Sequence, residues 1–509
     1  MKPIRLMAGF FTVGIWTLLS RVMGFVRDIM IAAFLGTGPV AEAFLIAFSL
    51  PNLFRRFFAE GAFNMAFVPM FSKKLEADEG AQKFAQDAFV ALAAILTAFT
   101  VIGVIVMPVL VTMMASGYIG SERFDLAVYF GRIAFPYILF ISLAALLSGV
   151  LNATGRFAAA AAAPVLLNII FITAILLAVI FGQDGPGEIG SALAYAVPVA
   201  GVAQMAMVWV AAKRAGYALH PGWPKFTPEL KRLAMIAAPA ALAGGVLQIN
   251  LLVGRQVASF FDGAVAWLNY ADRLYQLPLG VVGIAIGVVL LPDLSRRLRA
   301  GDDNGGRDAF NRACEFCLAL TVPAAAALLA IPDALVSTLF ERGAFTAEDT
   351  AATALAVAIY GLGLPAFVMQ KTLQPLYFAR EDTKRPFYFA VAAMFLNAGL
   401  AVGLSPIIGF TAAAVGTTVT GWAMALLLWV GSRNMGNAAR FDARLIRRVW
   451  RICTAAAAMG LLLWLIPPLP LPRGIELCVL VTVGIVSYFG IGHLIGAFRL
   501  SEFRSALRR

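Results

Sequence analysis

The stretch from Ser20 to Pro69, SRVMGFVRDIMIAAFLGTGPVAEAFLIAFSLPNLFRRFFAEGAFNMAFVP, combines two long apolar segments with an unusual number of charged side chains. A short turn from Gly36 to Pro39 separates the two segments. The charged residues within them are Arg21, Arg27, Asp28, Glu42, Arg55, Arg56 and Glu60. An ionised side chain at the centre of a transmembrane helix costs roughly 2.5–3.5 kcal/mol. Partners, water or a ligand must offset this cost, which makes the stretch a candidate functional site.

The composition of the whole chain is that of a polytopic membrane protein. Of its 509 residues, 61% are hydrophobic and only 13% are charged, whereas soluble domains carry about 25% charged residues. Apolar runs of about 20 residues, enough to cross a hydrocarbon core about 30 Å thick, follow one another from Leu6 to Phe498. The sequence lacks the period-two alternation of a barrel, and a helix satisfies its own backbone hydrogen bonds in lipid. We therefore predict an all-α polytopic membrane protein.

Hydropathy divides the chain into fourteen predicted transmembrane helices. They cover residues 6–35, 41–72, 86–114, 124–150, 158–181, 188–212, 229–254, 264–295, 309–331, 351–378, 386–404, 409–432, 446–468 and 475–498. We expect the first to be retained as a helix, because Arg21 and Arg27 interrupt the apolar core that a cleaved signal peptide needs.

The distribution of basic residues predicts the orientation in the membrane. Alternate loops, starting from the N-terminus, together carry 29 Lys and Arg residues, whereas the opposite loops carry only Arg123, Arg342 and Arg473. Loops rich in Lys and Arg stay in the cytoplasm, so both termini are predicted to be cytoplasmic. The net charge of +12 then mostly faces anionic lipid, and it does not indicate nucleic-acid binding.

An internal repeat divides the predicted helices into two lobes of six. A shift of 229 residues places Asn168 on Asn397, and a shift of 220 places Trp209 on Trp429. Because six is an even number, both copies start on the same side of the membrane, as in a parallel repeat. The predicted domains are residues 1–220 for the first lobe, 221–440 for the second lobe, and 441–509 for two additional C-terminal helices with a cytoplasmic tail.

The charged residues within the predicted spans lie mainly on the first two helices of each lobe. Asp272 and Arg273 of the second lobe fall near the repeat equivalent of LPNLFRRFFAEG in the first. Substrate sites of repeat-built transporters lie near the midplane between the halves. The basic residues outnumber the acidic ones, and arginine binds phosphate oxygens through two parallel hydrogen bonds, which favours an anionic, phosphate-bearing ligand. The favoured ligand contacts are Arg21, Arg27, Arg55 and Arg273.

Some of these charges have a structural alternative. Arg27 is adjacent to Asp28, and Arg56 precedes Glu60 by four residues, so each arginine could be neutralised within its own helix. No cluster of potential metal ligands is evident, because only two of the four cysteines, Cys314 and Cys317, form a C-x-x-C, and the two histidines are isolated. The sequence predicts no cofactor and no metal.

Several motifs resemble those of the MurJ (MviN) family of lipid II flippases, within the multidrug/oligosaccharidyl-lipid/polysaccharide exporter superfamily. The motifs are SRVMGFVRD, LPNLFRRFFAEGAFNMAFVP, YADRLYQLPLGVVGIAIGVVLLPDLS and LFERGAF. The resemblance covers essentially the whole chain. It implies a fourteen-helix bundle of two six-helix lobes, with the last two helices forming a groove for a lipid tail.

The resemblance also implies a role in peptidoglycan synthesis. Lipid II, an undecaprenyl-diphosphate-linked disaccharide-pentapeptide, would be carried to the periplasmic leaflet of the bacterial inner membrane by alternating access. The implied partners are lipid II, membrane lipids and cell-wall synthesis proteins, without nucleic acid. The substrate-binding residues carried over by motif are Arg21, Arg27, Asp28, Glu42, Arg55, Glu60, Asp272 and Arg273.

Three other functions are alternatives to a flippase. A drug or cation antiporter of the same superfamily would need an acidic cavity, whereas the predicted interior is basic. A membrane enzyme acting on polyprenyl phosphates would need clustered carboxylates with a metal, or a catalytic histidine. A scaffold for cell-wall enzymes would leave the cost of the internal arginines unexplained.

Overall fold

The computed structural model describes residues 3–55, 62–225, 227–285 and 290–497, and within these ranges the chain forms α-helices without β-strands. The helices are α1 Pro3–Leu35, α2 Pro39–Arg55, α3 Ala62–Glu76, α4 Ala81–Ile105, α5 Met107–Met114, α6 Glu122–Ala134, α7 Tyr137–Ala153, α8 Ala158–Ile180, α9 Pro186–Arg214, α10 Pro228–Ala258, α11 Ala264–Ala285, α12 Leu291–Arg299, α13 Asp303–Ala330, α14 Pro332–Phe340, α15 Ala347–Phe378, α16 Lys384–Ile408, α17 Thr411–Ser432, α18 Ala443–Leu465 and α19 Arg473–Leu494. The predicted all-α polytopic membrane fold is confirmed.

Ten helical segments of the described residues are long and apolar enough to cross a membrane. The four predicted spans that are not among them, 6–35, 41–72, 229–254 and 264–295, include those that carry the candidate site residues. The count of fourteen therefore stays a prediction. Prolines explain two places where one predicted span is two helices: Pro108 follows the break between α4 and α5, and Pro136 lies between α6 and α7.

The chain divides into two compact units by its internal contacts. The first contains Met1–Ala266 and Arg342–Phe345, and the second contains Trp267–Glu341 and Thr346–Arg509. This division follows contacts, whereas the predicted boundary at residue 220 follows the sequence repeat, so the predicted domain limits stay predictions.

In the first unit, α1 packs against α8, α2 against α6, and α9 against both α7 and α8. Aromatic side chains pack between α2 and α8, where the rings of Phe44 and Phe48 both contact Phe171. In the second unit, α13 packs against α15 and α18, and α17 packs against α15 and α16. The helices named here therefore pack against neighbours from their own unit.

A cation–π contact recurs at equivalent positions of the two units. Lys213 Nζ lies 5.6 Å from the ring centroid of Trp209 at the end of α9. The Arg433 guanidinium lies 4.2 Å from the ring centroid of Trp429 at the end of α17. The two tryptophans are the pair that the sequence repeat superimposed, so their common geometry supports that repeat.

Residues Arg342–Phe345, from the LFERGAF motif, contact the turn between α1 and α2. The Ala344 amide donates a hydrogen bond to Ala33 O over 2.7 Å, which satisfies a carbonyl in the last turn of α1. Gly36 and Gly343 both have positive φ, at 63° and 59°. A Cβ atom would lie 2.5 Å from Ala344 O if added at Gly36, and 2.2 Å from Ala33 O if added at Gly343. Only glycine fits at either position.

Replacing Gly343 by alanine is expected to destabilise the first unit. Left-handed backbone costs a residue with a side chain roughly 1–2 kcal/mol, and the new Cβ would also displace the Ala33 carbonyl. Gly80→Ala is the matched control, because Gly80 has a φ of 64° and nothing lies within 4 Å of its Cβ position. Thermal unfolding in detergent should show a larger loss for Gly343→Ala, and equal losses would contradict the close contact.

Candidate functional site

The centre of the candidate site in the first unit is an ion pair on α1. Arg27 is 7% exposed, and Asp28 is 6% exposed. Arg27 Nε and Nη2 donate to Asp28 Oδ1 over 3.0 and 2.7 Å. The structural alternative raised for this pair is therefore the arrangement observed, and the guanidinium is held by a carboxylate of its own helix.

Two residues of α8 complete the surroundings of Arg27. Arg27 Nη1 donates to Asn168 Oδ1 over 2.9 Å, and the Asn168 amide donates to the Ser20 carbonyl over 3.0 Å. The guanidinium also lies 5.6 Å from the ring centroid of Phe171. Nε, Nη1 and Nη2 all have partners, so this cation is oriented and desolvated before any ligand arrives.

The two other arginines of the first unit have different environments. Arg21 is exposed on α1, and the six residues that separate it from Arg27 correspond to roughly 9 Å along the helix. Arg55 is half-buried and is the last residue of α2. Pro51, buried within α2, precedes it by one helical turn and removes a backbone hydrogen bond there.

Glu42 lies in a separate ion-pair cluster near the start of α2. Its side chain is 1% exposed. Arg123 Nη1, at the start of α6, donates to Glu42 Oε2 over 3.0 Å, and the Val265 amide donates to Glu42 Oε1 over 3.1 Å. Arg123 also pairs with Asp262 and lies 5.0 Å from the ring centroid of Tyr118. Glu42 thus joins α2 to α6 and to the start of α11.

This cluster is far from Arg55, although both belong to α2. The thirteen residues from Glu42 to Arg55 correspond to roughly 20 Å of helix. One phosphate group cannot contact both side chains, so the eight motif residues do not form a single cluster around one charge.

In the second unit, Asp272 and Arg273 lie within α11 and are partly buried. Asp272 accepts a hydrogen bond from Gln276, one turn further along the helix. The adjacent Tyr275 ring stands 5.1 Å from Tyr360 and 5.6 Å from Phe367, both on α15. These aromatic contacts fix the rotation of α11 within its unit and therefore the direction of the charged pair.

Sequence reasoning missed the contacts of two residues. In the sequence, Asn168 stands out only as a repeat position, and Arg123 only as one of the few basic residues in the opposite loops. Because basic residues are rare in those loops, the presence of Arg123 there is the sequence feature that could have indicated its ion pair. Arg56 and Glu60 lie outside the described residues, so their predicted pair is untested.

An all-α polytopic fold with buried charges on its first helices is typical of membrane transporters. The chain matches the family model described as lipid II flippase MurJ over residues 31–475, and it belongs to that family. It is 45% identical to the probable lipid II flippase MurJ of Rhizobium meliloti, across 99% of this chain and 97% of the relative. The lipid II flippase MurJ of Burkholderia cenocepacia is 36% identical and covers 85% of each chain.

Solved structures support the same fold. A lipid II flippase MurJ in an inward closed conformation superimposes with a TM-score of 0.81 at 24% identity, covering 98% of this chain and 99% of the other. An inward-facing multidrug resistance MATE family transporter of the MOP superfamily superimposes with a TM-score of 0.66 at 14% identity, covering 83% and 96%. At such identities these similarities concern the fold alone.

Proposed function

We propose that this protein moves lipid II from the cytoplasmic to the periplasmic leaflet of the bacterial inner membrane by alternating access. The family membership supports the substrate, and the buried guanidinium of Arg27 is the observation that carries the mechanism. A desolvated arginine within the membrane is costly, and a diphosphate is an anion that can make use of it.

The ion pair suggests how substrate binding is coupled to a change of state. Arg27 is bound by Asp28 in the state described, so a phosphate must compete with that carboxylate for the same N–H groups. A ligand shifts a conformational equilibrium only through different contacts in the two states. Replacement of the Asp28 carboxylate by a phosphate oxygen as the hydrogen-bond acceptor of Arg27 provides such a difference in contacts. Arg21, Arg55 and Arg273 are proposed to hold the remaining phosphate and peptide carboxylate charges.

The isoprenoid tail is proposed to stay in the membrane while the headgroup crosses. Exposing it to water would cost about 0.8 kcal/mol per CH₂ group. The last two helices, α18 and α19, are proposed to form the groove for this tail. Leu461 and Trp464 on α18, and Ile485 and Val486 on α19, are exposed apolar side chains that a lipid tail can cover.

The same proposal includes cytoplasmic termini and an association with cell-wall synthesis proteins. The excess of basic residues in alternate loops supports the orientation. A drug antiporter is disfavoured although its fold is similar, because the charged residues of the predicted spans are mainly basic and would repel cationic drugs.

A depletion experiment tests the substrate. Cells depleted of their own flippase are supplied with this chain, and periplasmic exposure of lipid-linked precursor is measured with an external cleaving agent. We expect exposure to recover with the wild-type chain. Accumulation of total precursor without recovered exposure, in cells that contain the folded protein, would refute the proposed function.

Membrane potential is expected to accelerate the outward step. Moving an anion out of a negative cytoplasm gains roughly 2.3 kcal/mol per charge per 100 mV. Reconstituted vesicles with a potassium diffusion potential should flip lipid II faster when the interior is negative, for protein inserted with its cytoplasmic side inside. Equal rates at zero and negative potential would remove electrical coupling from the mechanism.

A further inference from the structure

The loop between α9 and α10, residues 215–227, contains a tryptophan that the transport site does not use. Trp223 is 91% exposed. We call residues 215–227 the linker loop. Phe226 lies outside the described ranges and is left out of this definition. Contacts with neighbouring helices hold the first part of this loop, and Trp223 is its large exposed apolar side chain among the described residues.

Contacts from three helices hold the loop. The indole N–H of Trp209 donates to Leu219 O over 2.9 Å, and the Leu219 side chain is fully buried. The Gln86 side chain makes reciprocal hydrogen bonds with the backbone of His220, accepting from its amide over 2.8 Å and donating to its carbonyl. The ring of Tyr217 packs edge-on against Phe71 with centroids 5.7 Å apart.

The loop extends along α4 as far as the expected edge of the hydrocarbon. A Cβ atom at Gly222 would lie 3.7 Å from Val90 Cγ2. The last charged residue of α4 is Asp87, and the residues 88–105 that follow it are uncharged, so Val90 lies in the first turn of this uncharged stretch. The stretch rises roughly 27 Å along the helix, close to the thickness of a core of about 30 Å. Gly222, and with it Trp223, thus stands at the boundary between acyl chains and headgroups.

The charges around the loop match an anionic surface. The exposed basic residues within and beside it are Lys213, Arg214, Lys225, Lys231 and Arg232. Glu229, the acidic residue near the start of α10, is paired with Lys74 over 2.6 Å. Tryptophan concentrates at membrane interfaces, and juxtamembrane Lys and Arg attract anionic headgroups.

We propose that the linker loop is an interfacial anchor, in which Trp223 inserts between the headgroups and acyl chains of the surrounding bilayer while the flanking basic residues contact anionic lipid. The anchor fixes the position from which α10 starts. It does not depend on the transported substrate.

A depth measurement tests this anchor in the full-length protein. The four native cysteines are replaced by alanine, and Trp223→Cys is labelled with an environment-sensitive fluorophore in vesicles of phosphatidylethanolamine and phosphatidylglycerol. Glu79→Cys, in the exposed loop between α3 and α4, is the aqueous control. Ile95→Cys, exposed near the middle of the uncharged stretch of α4, is the hydrocarbon control. Quenchers are placed in water, at the headgroup level and deep in the bilayer.

We expect the label at position 223 to be quenched most strongly by the quencher at the headgroup level. Its emission should lie at a shorter wavelength than that of the label at position 79. Quenching like that of position 79 would overturn the anchor. As an independent measurement, Trp223→Ala should lower the Tm in nanodiscs with anionic lipid, but not in detergent, and Trp223→Phe should retain most of the stability. An equal Tm loss in nanodiscs and detergent would also overturn it.

Discussion

Replacing Asp28 by alanine is expected to destabilise the protein by about 3–5 kcal/mol, the usual cost of removing one partner from a buried ion pair. Arg27 would keep its contact with Asn168 but lose the carboxylate that two of its nitrogen atoms bind. The uncompensated guanidinium, rather than the lost attraction, accounts for the effect. Thermal or denaturant unfolding in detergent measures it, and Asp184→Ala, at an exposed loop aspartate, is the control.

The double variant Arg27→Met, Asp28→Leu separates stability from transport. Apolar residues of similar volume often replace a buried ion pair without loss of stability, so this variant should fold as well as the wild type. It should nevertheless fail to expose lipid-linked precursor, because the headgroup has lost its desolvated arginine. Normal exposure with the double variant would show that Arg27 does not bind the substrate. For the single variant, a free energy of unfolding of Asp28→Ala equal to that of the wild type would show that Asp28 does not stabilise the buried guanidinium.

The sequence predicted the fold class well because hydropathy and charge act locally along a chain. Composition indicated an all-α membrane protein, and the repeat aligned Trp209 with Trp429, whose cation–π contacts have the same form. Helix breaks were harder to predict, since an apolar run continues across a proline. The span 86–114 thus became α4 and α5, and 124–150 became α6 and α7.

The partners of the charged residues could not be predicted in the same way. Adjacent residues on a helix point about 100° apart, so the spacing of Arg27 and Asp28 does not reveal whether their side chains converge. Arg123 contacts Glu42 across 81 residues of sequence, and a single sequence contains no signal for such a contact. Motif resemblance grouped Glu42 with the arginines, whereas the structure places it in a different cluster from Arg27.

Arg123→Ala is expected to reproduce the loss caused by Glu42→Ala, both in stability and in precursor exposure. Glu42 is nearly inaccessible and is shared between Arg123 and the Val265 amide, so we expect it to hold α2, α6 and the start of α11 together. Removing Arg123 would leave a buried carboxylate without its counterion, which costs about 3–5 kcal/mol. Unfolding in detergent and the precursor-exposure assay provide the two readouts.

A double-mutant cycle then decides between this structural role and direct substrate binding by Glu42. Contacting residues typically show coupling energies of about 0.5–3 kcal/mol, so Glu42→Ala, Arg123→Ala should be little worse than either single variant. Asp262→Ala is the matched control, because it removes the other carboxylate that pairs with Arg123. The Asp262 side chain is 91% exposed, so its ion pair should contribute little to stability. If Arg123→Ala transports normally while Glu42→Ala does not, the carboxylate itself must contact the headgroup. Equal defects would instead mean that Glu42 acts through its ion pair, as a positioning residue.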